Sequence, residues 1–183
     1  MKILIVTDAW YPQVNGVVRT YENLKEKLIK NGHDVKIIGP SDFPICIPLP
    51  GYNEIKLALF TKSRLRRIIK VFRPDRIHIA TEGPLGWAAR SICKKTDFDY
   101  TTSYHTQFPD YIAKRLAKYL KFLYRPVYNL AVRIIRRFHS SSNVIFVATP
   151  SLEKSLRKLG FTAPMQHLTR GVDTAIFHPD GNE

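Results

Sequence analysis

Cysteine is scarce, with two in 183 residues. Two cysteines make no disulfide framework. Cys46 lies between Ile45 and Ile47 and Cys93 follows Ile92, so buried reduced thiols are expected. Neither stands at a paired zinc spacing from His33, His78 or His139, and no metal is expected. Long apolar runs are also missing. Lys2 is followed by only four apolar residues before Thr7 and Asp8, which does not make a signal peptide. No stretch approaches the length of a membrane span. A cytoplasmic protein is expected. Acidic side chains are few: 15 Asp and Glu stand against 29 Lys and Arg, for a net charge of +14. Such an imbalance implies an anionic partner, either nucleic acid or an acidic membrane. The dinucleotide fingerprint G-x-G-x-x-G, the P-loop and the G-x-S-x-G elbow are all absent. So are internal repeats and low-complexity segments.

What is present is a regular alternation of patterns. Ile3, Leu4, Ile5 and Val6 form a short apolar run that predicts a strand buried on both faces. Ala9 to Gly16 is a loop with turn chemistry at Pro12, Asn15 and Gly16. Val17 or Val18, Tyr21, Leu24 and Leu28 then share one face of a helix that Asn31-Gly32 ends. Val35 to Gly39 is the second strand. This βαβ unit implies a right-handed crossover and a parallel sheet. Downstream, a short edge strand is expected at Ile45–Ile47 and another across Tyr52–Phe60. A helix over Thr61–Phe72 follows, with Thr61 as N-cap. Strands are expected at Arg76–Thr81, Tyr100–His105, Val144–Ala148 and Met165–Leu168. Helices are expected from Leu85 to Lys95, from Pro109 to His139 with a kink at Pro126, and from Thr149-Pro150 to Gly160. The fold class is α/β, a Rossmann-like doubly wound parallel sheet.

Ligands bind such sheets at the carboxyl ends of the strands. Asn15-Gly16 lies there, where the first strand hands over to the first helix. Gly16 admits close approach, and the N–H groups of Val17 and Val18 at a helix start would favour an anion. The alternative is an ordinary βα turn. Asp8 ends the first strand, either at the site or in an Asx turn. Arg19 reaches an anion at the loop or pairs with Glu22. Glu82 ends a strand and either accepts hydrogen bonds from a ligand's hydroxyls or serves as a first-turn charge on the next helix. His105 also ends a strand, and on residue type alone is a hydrogen-bonded structural histidine. Tyr104 and Tyr111 could stack on a ligand ring, with core packing as the default.

The segment Thr7-Asp8-Ala9-Trp10-Tyr11-Pro12-Gln13-Val14-Asn15-Gly16-Val17-Val18-Arg19-Thr20 resembles the opening of family 4 glycosyltransferases. Three later segments resemble the same family: Ala80 to Gly86, Thr102 to Pro109, and Arg170 to Asp173 with Phe177-His178-Pro179. Within it, the similarity is to the branch of lipid-directed mannosyl, sulfoquinovosyl and glucosyl transferases. The resemblance implies a retaining enzyme of the two-domain GT-B type. It places His105 at the cleft floor beside the reacting sugar, where a neutral imidazole orients a hydroxyl or stabilises developing charge. It implies a nucleotide-sugar co-substrate, such as a GDP- or UDP-sugar, and a lipid or sugar acceptor, with no further cofactor. It implies an acceptor-side domain at residues 1–171 and an interdomain linker remnant at 172–183. The donor domain, with its E-x7-E-type motif, would lie beyond this sequence or on a separate chain. The domain alone is expected to be inactive.

Lys114, Arg115, Lys118, Lys121 and Arg125 recur at helical spacing beside an apolar stripe of Leu116, Leu120, Leu123, Val127 and Leu130. Arg133, Arg136 and Arg137 extend the charge. A basic amphipathic helix reads as directed to an acidic membrane surface, here the inner face. A solvated surface helix is the plain alternative. Two other functions compete. One is a basic nucleic-acid-binding module, disfavoured because aromatics do not interleave with the basic residues. The other is a non-catalytic partner of a full-length enzyme.

Overall fold

The computed structural model describes residues 1–49, 52–105 and 124–169. Its main sheet has six strands in the order β2-β1-β5-β6-β7-β8. These are β1 (Lys2–Val6), β2 (Asp34–Ile38), β5 (Arg76–Ile79), β6 (Tyr100–Tyr104), β7 (Val144–Val147) and β8 (Met165–His167). Every pairing in it is parallel. β3 (Cys46–Leu49) and β4 (Tyr52–Ala58) form a separate antiparallel pair. The edge strand expected at Ile45–Ile47 thus starts one residue later and runs through Pro48, which an edge strand tolerates.

The helices are α1 (Gly16–Lys30), α2 (Lys62–Phe72), α3 (Pro84–Thr96), α4 (Tyr124–His139) and α5 (Pro150–Lys158). Strand β1 lies inside the sheet and its side chains alternate between two layers. Ile5 packs with Tyr21 and Val35 under α1, while Leu4 and Val6 pack with Leu65, Leu85, Ala88 and Phe138 from α2, α3 and α4. Right-handed crossovers require this split, because the chain leaves β1 towards β2 and then returns across to β5. A third cluster joins Ile135 of α4 and Leu156 of α5 to Tyr104, Ile145 and Val147.

Local chemistry sets the helix ends. Asn15 caps α1 and Thr149 caps α5 through side-chain oxygens. Thr61 precedes α2 without making a side-chain cap. The last carbonyls of α4 are taken by Arg90, whose Nε donates to Phe138 O at 2.9 Å and whose Nη2 donates to Arg137 O at 2.7 Å. Arg90 also stacks over Trp87 at 5.2 Å. On α4 the inward face is Val132, Ile135, Phe138 and His139, whereas Leu130 and Ile134 stay 54% and 44% exposed. The apolar stripe expected through Leu130 therefore faces outward at that residue. Pro126 is the third residue of α4 as described, and the region from Thr106 to Leu123 lies outside the described residues.

Candidate functional site

The strand order reverses between β1 and β5, so their carboxyl ends open a crevice. The β1–α1 loop forms one wall and the β5–α3 turn the other. Asp8 joins them. Its Oδ1 accepts from Leu85 N at 2.8 Å and its Oδ2 from Gly86 N at 3.1 Å. Oδ2 also accepts from Thr81 Oγ1 at 3.1 Å, and that hydroxyl oxygen accepts from Asp8 N at 2.6 Å. Asp8 is thus the cap of α3, supplied from 77 residues away, where Gly83 has no side chain to offer. The fit depends on small residues. A Cβ on Gly83 would stand 2.4 Å from Asp8 Cγ, and one on Gly86 would stand 2.0 Å from Thr81 O. Burial pushes the Asp8 carboxyl up to about 6, against the pull of the two amides and Thr81.

The β1–α1 loop is ordered from within. Gln13 Nε2 donates to Asp8 O at 3.0 Å and Asn15 Nδ2 donates to Gln13 Oε1 at 3.1 Å. The N–H groups of Val17 and Val18, expected to be open to an anion, both donate to Asn15 Oδ1, at 2.9 and 3.1 Å. The reason is ordinary N-capping. Gly16 is exposed. Arg19 pairs with Glu22 at 3.3 Å on the helix surface and is 67% exposed.

His105 follows β6, the next strand along. Its Nε2 lies 2.9 Å from the Tyr21 hydroxyl. That hydroxyl also donates to Ser103 Oγ at 3.0 Å and meets His78 Nε2 at 2.8 Å. On its other side, His78 Nδ1 is 2.8 Å from Thr101 Oγ1. Burial first, and the nearby charge of His105 second, push His78 down to about 3. It is a neutral ring at any working pH. Glu82 follows β5 and meets a second buried histidine. Its Oε1 lies 3.3 Å from His139 Nε2, and His139 Nδ1 lies 2.8 Å from Thr102 Oγ1. Glu82 is therefore backed directly by a core histidine, and His105 by the Tyr21 hydroxyl that also meets His78.

Tyr104 is core, 3% exposed, and burial followed by the charge of Glu82 pushes its hydroxyl upward. Cys93 is a buried thiol pushed up to about 12 by desolvation, and Cys46 is half-buried. Arg125 is exposed on α4. Lys114, Arg115, Lys118, Lys121 and Tyr111 lie outside the described residues. Among the described residues no group of three or more His, Cys, Asp or Glu could hold a metal ion, and no helix is long and apolar enough to cross a membrane. A cavity of about 370 Å³ lies beneath α1, lined by Ile3, Ile5, Leu24, Leu28 and Phe146 among others. His78 and Thr101 also line it.

A family model described as Glycosyltransferase Family 4 matches residues 14–176. The chain belongs to glycosyltransferase family 4. It is 30% identical to Sulfoquinovosyl transferase SQD2 of Arabidopsis thaliana, over 89% of this chain and 29% of that protein. It is 26% identical to Alpha-monoglucosyldiacylglycerol synthase of Acholeplasma laidlawii, over 97% of this chain and 48% of that protein. It is 23% identical to GDP-mannose-dependent alpha-mannosyltransferase of Corynebacterium glutamicum, over 98% of this chain and 45% of that protein. The chain spans less than half the length of each of these relatives. The parallel sheet with helices on both faces fits one half of a GT-B fold.

Sequence reasoning did not single out Tyr21, His78, Gln13 or His139 for the site. One signal was available. His78 interrupts an apolar strand, and polar Thr101 and Ser103 fall at same-face positions of the neighbouring strand.

Proposed function

We propose that this chain is the acceptor-side domain of a retaining glycosyltransferase that moves a sugar from a nucleotide-sugar to a hydroxyl acceptor. The observation that supports the reading is that Glu82 and His105 follow the carboxyl ends of adjacent strands, Glu82 held by His139 and His105 by Tyr21, in a chain matched by family 4 over residues 14–176. In the reaction, the acceptor oxygen bonds to the anomeric carbon as the bond to the diphosphate breaks, and the hydroxyl's proton leaves with the diphosphate. Glu82 accepts the hydrogen bond of the incoming hydroxyl. His105, held through Nε2 by Tyr21, orients a sugar hydroxyl at the floor of the cleft. Groups that stabilise the departing diphosphate belong to a donor domain outside these 183 residues, as the greater length of the relatives supports.

The acceptor is a membrane lipid, a reading supported by the diacylglycerol named in one relative and by the net charge of +14. The domain works at the inner face of a membrane as a peripheral protein. Leu130 and Ile134, exposed beside Arg133 and Arg137, give that face both apolar and basic groups.

The test joins the chain to a donor-binding domain of a family relative and follows nucleotide release with lipid acceptors. The chain by itself should release none. In the joined enzyme, His105→Ala should lower turnover about 100-fold, the usual cost of one lost transition-state group. Full turnover in that variant would remove His105 from the site and overturn the reading.

A further inference from the structure

The contacts behind His139 fix where its protons are. A carbonyl oxygen only accepts, so the 2.8 Å contact of Ser142 Oγ with His139 O uses the Ser142 proton. Ser142 Oγ must then accept from Thr102 Oγ1, 3.2 Å away. Thr102 has spent its own proton there. Its 2.8 Å contact with His139 Nδ1 therefore has the ring donating. With Nδ1 protonated, a neutral ring would turn a bare Nε2 lone pair on the carboxylate of Glu82. Two acceptors do not sit 3.3 Å apart in a buried site without a proton between them.

We infer that Glu82 and His139 hold one proton between Oε1 and Nε2, which makes His139 a positioning residue for Glu82. The ring is completely buried, and Tyr104, Phe138 and Phe161 surround it at centroid distances of 5.8, 5.0 and 5.9 Å. It cannot swing away. The Glu82 side chain is 14% exposed, and among the described residues its Oε2 makes no hydrogen bond. Whichever atom carries the shared proton, Oε2 remains an acceptor. The other titratable groups that sense Glu82 are Asp8, from the β1–α1 loop, and the Tyr104 hydroxyl. Use of Oε2 to receive an acceptor hydroxyl rests on the function proposed above. The shared proton does not.

The ordinary arrangement would be the reverse. Thr102 would donate to Nδ1, and a neutral ring would donate Nε2–H to the carboxylate. Long-range ¹H–¹⁵N correlation on the chain labelled with ¹⁵N-histidine separates the two. His139→Gln identifies which signals belong to this ring. The expected result is a protonated Nδ1 at neutral pH. Glu82→Gln should keep that proton, with Nε2 bare and accepting from the new amide. Ser142→Ala frees the Thr102 proton, so it should move the ring to the Nε2–H form. A merely structural histidine would change neither signal in this order. A wild-type ring with bare Nδ1 and protonated Nε2 would overturn the inference, and so would a ring unmoved by Ser142→Ala. An expected ring in a chain whose joined enzyme transfers no sugar would refute the proposed function and leave the shared proton standing.

Discussion

Asp8→Asn should uncouple the stability of this domain from pH in a defined direction. The carboxyl of Asp8 lies at about 6 in the folded chain against 3.8 for the free group, because burial disfavours its charge. A raised value means the folded state binds the proton more tightly than the unfolded one. Stability from this group is therefore complete below 3.8 and is lost as pH rises through about 6. At about 1.4 kcal/mol per pH unit, the full loss is about 3 kcal/mol. Asparagine does not titrate. It carries its own fixed cost, since its NH2 accepts nothing, whereas both oxygens of Asp8, ionised or protonated, have lone pairs for Leu85 N, Gly86 N and Thr81 Oγ1. One buried N–H left without an acceptor costs about 1–3 kcal/mol.

The assay is urea unfolding of both proteins, followed by tryptophan fluorescence at several pH values between 4 and 7.5. Other carboxylates titrate too, and subtracting one protein from the other removes them. Wild type should be the more stable at pH 4. Its advantage should shrink by about 2–3 kcal/mol on the way to pH 7.5. A difference constant with pH would show that Asp8 does not titrate in this window. An advantage that grows with pH would show that the helix amides outweigh burial, and would refute the reasoning.

Gly86→Ala should cost about 3 kcal/mol in the same assay, because the new Cβ meets the Thr81 carbonyl, a backbone atom that cannot move aside. Gly16→Val should leave the unfolding midpoint nearly unchanged, since Gly16 is exposed, but should lower turnover of the joined enzyme if the loop approaches the donor; unchanged turnover would exclude that approach. The chain should co-sediment with vesicles containing acidic lipid and not with zwitterionic ones. Salt should release it, and Lys118, Lys121 and Arg125 changed together to Gln should weaken it by about 1 kcal/mol per charge. Equal binding to both vesicle types would refute the electrostatic reading.

The alternation of strands and helices was legible because it rests on local periodicity. Ile3 to Val6 and Val144 to Val147 are apolar runs, and Tyr21, Leu24 and Leu28 repeat at helical spacing. The start of α5 was legible from Thr149-Pro150, but the capping of Val17 and Val18 by Asn15 was missed and the cap expected at Thr61 is not made. Where the cap comes from elsewhere the helix start was legible, since α3 begins one residue before the expected Leu85, but the capping partner was not. Nothing near Gly83 shows that Asp8 caps α3. Glu82 and His139 are 57 residues apart, and Tyr21 and His105 are 84 apart. Such pairs arise from sheet order, which one sequence does not carry. The outward turn of Leu130 was missed for the same reason, since the neighbours of α4 decide which apolar stripe is covered.

The capping pattern also bears on which substrate this half of the cleft receives. A phosphate is held most simply by free amides at a helix start. At this crevice the first amides of α3 are taken by Asp8, and those of Val17 and Val18 by Asn15. Asp8, about 6 in the folded chain, is mostly ionised at neutral pH and would repel a second anion at α3. Among the described residues, Glu82 and the half-buried His105 also stand at the carboxyl edge, and they suit hydroxyls better than phosphates. A wall of this chemistry supports placing the acceptor, rather than the nucleotide, against this domain.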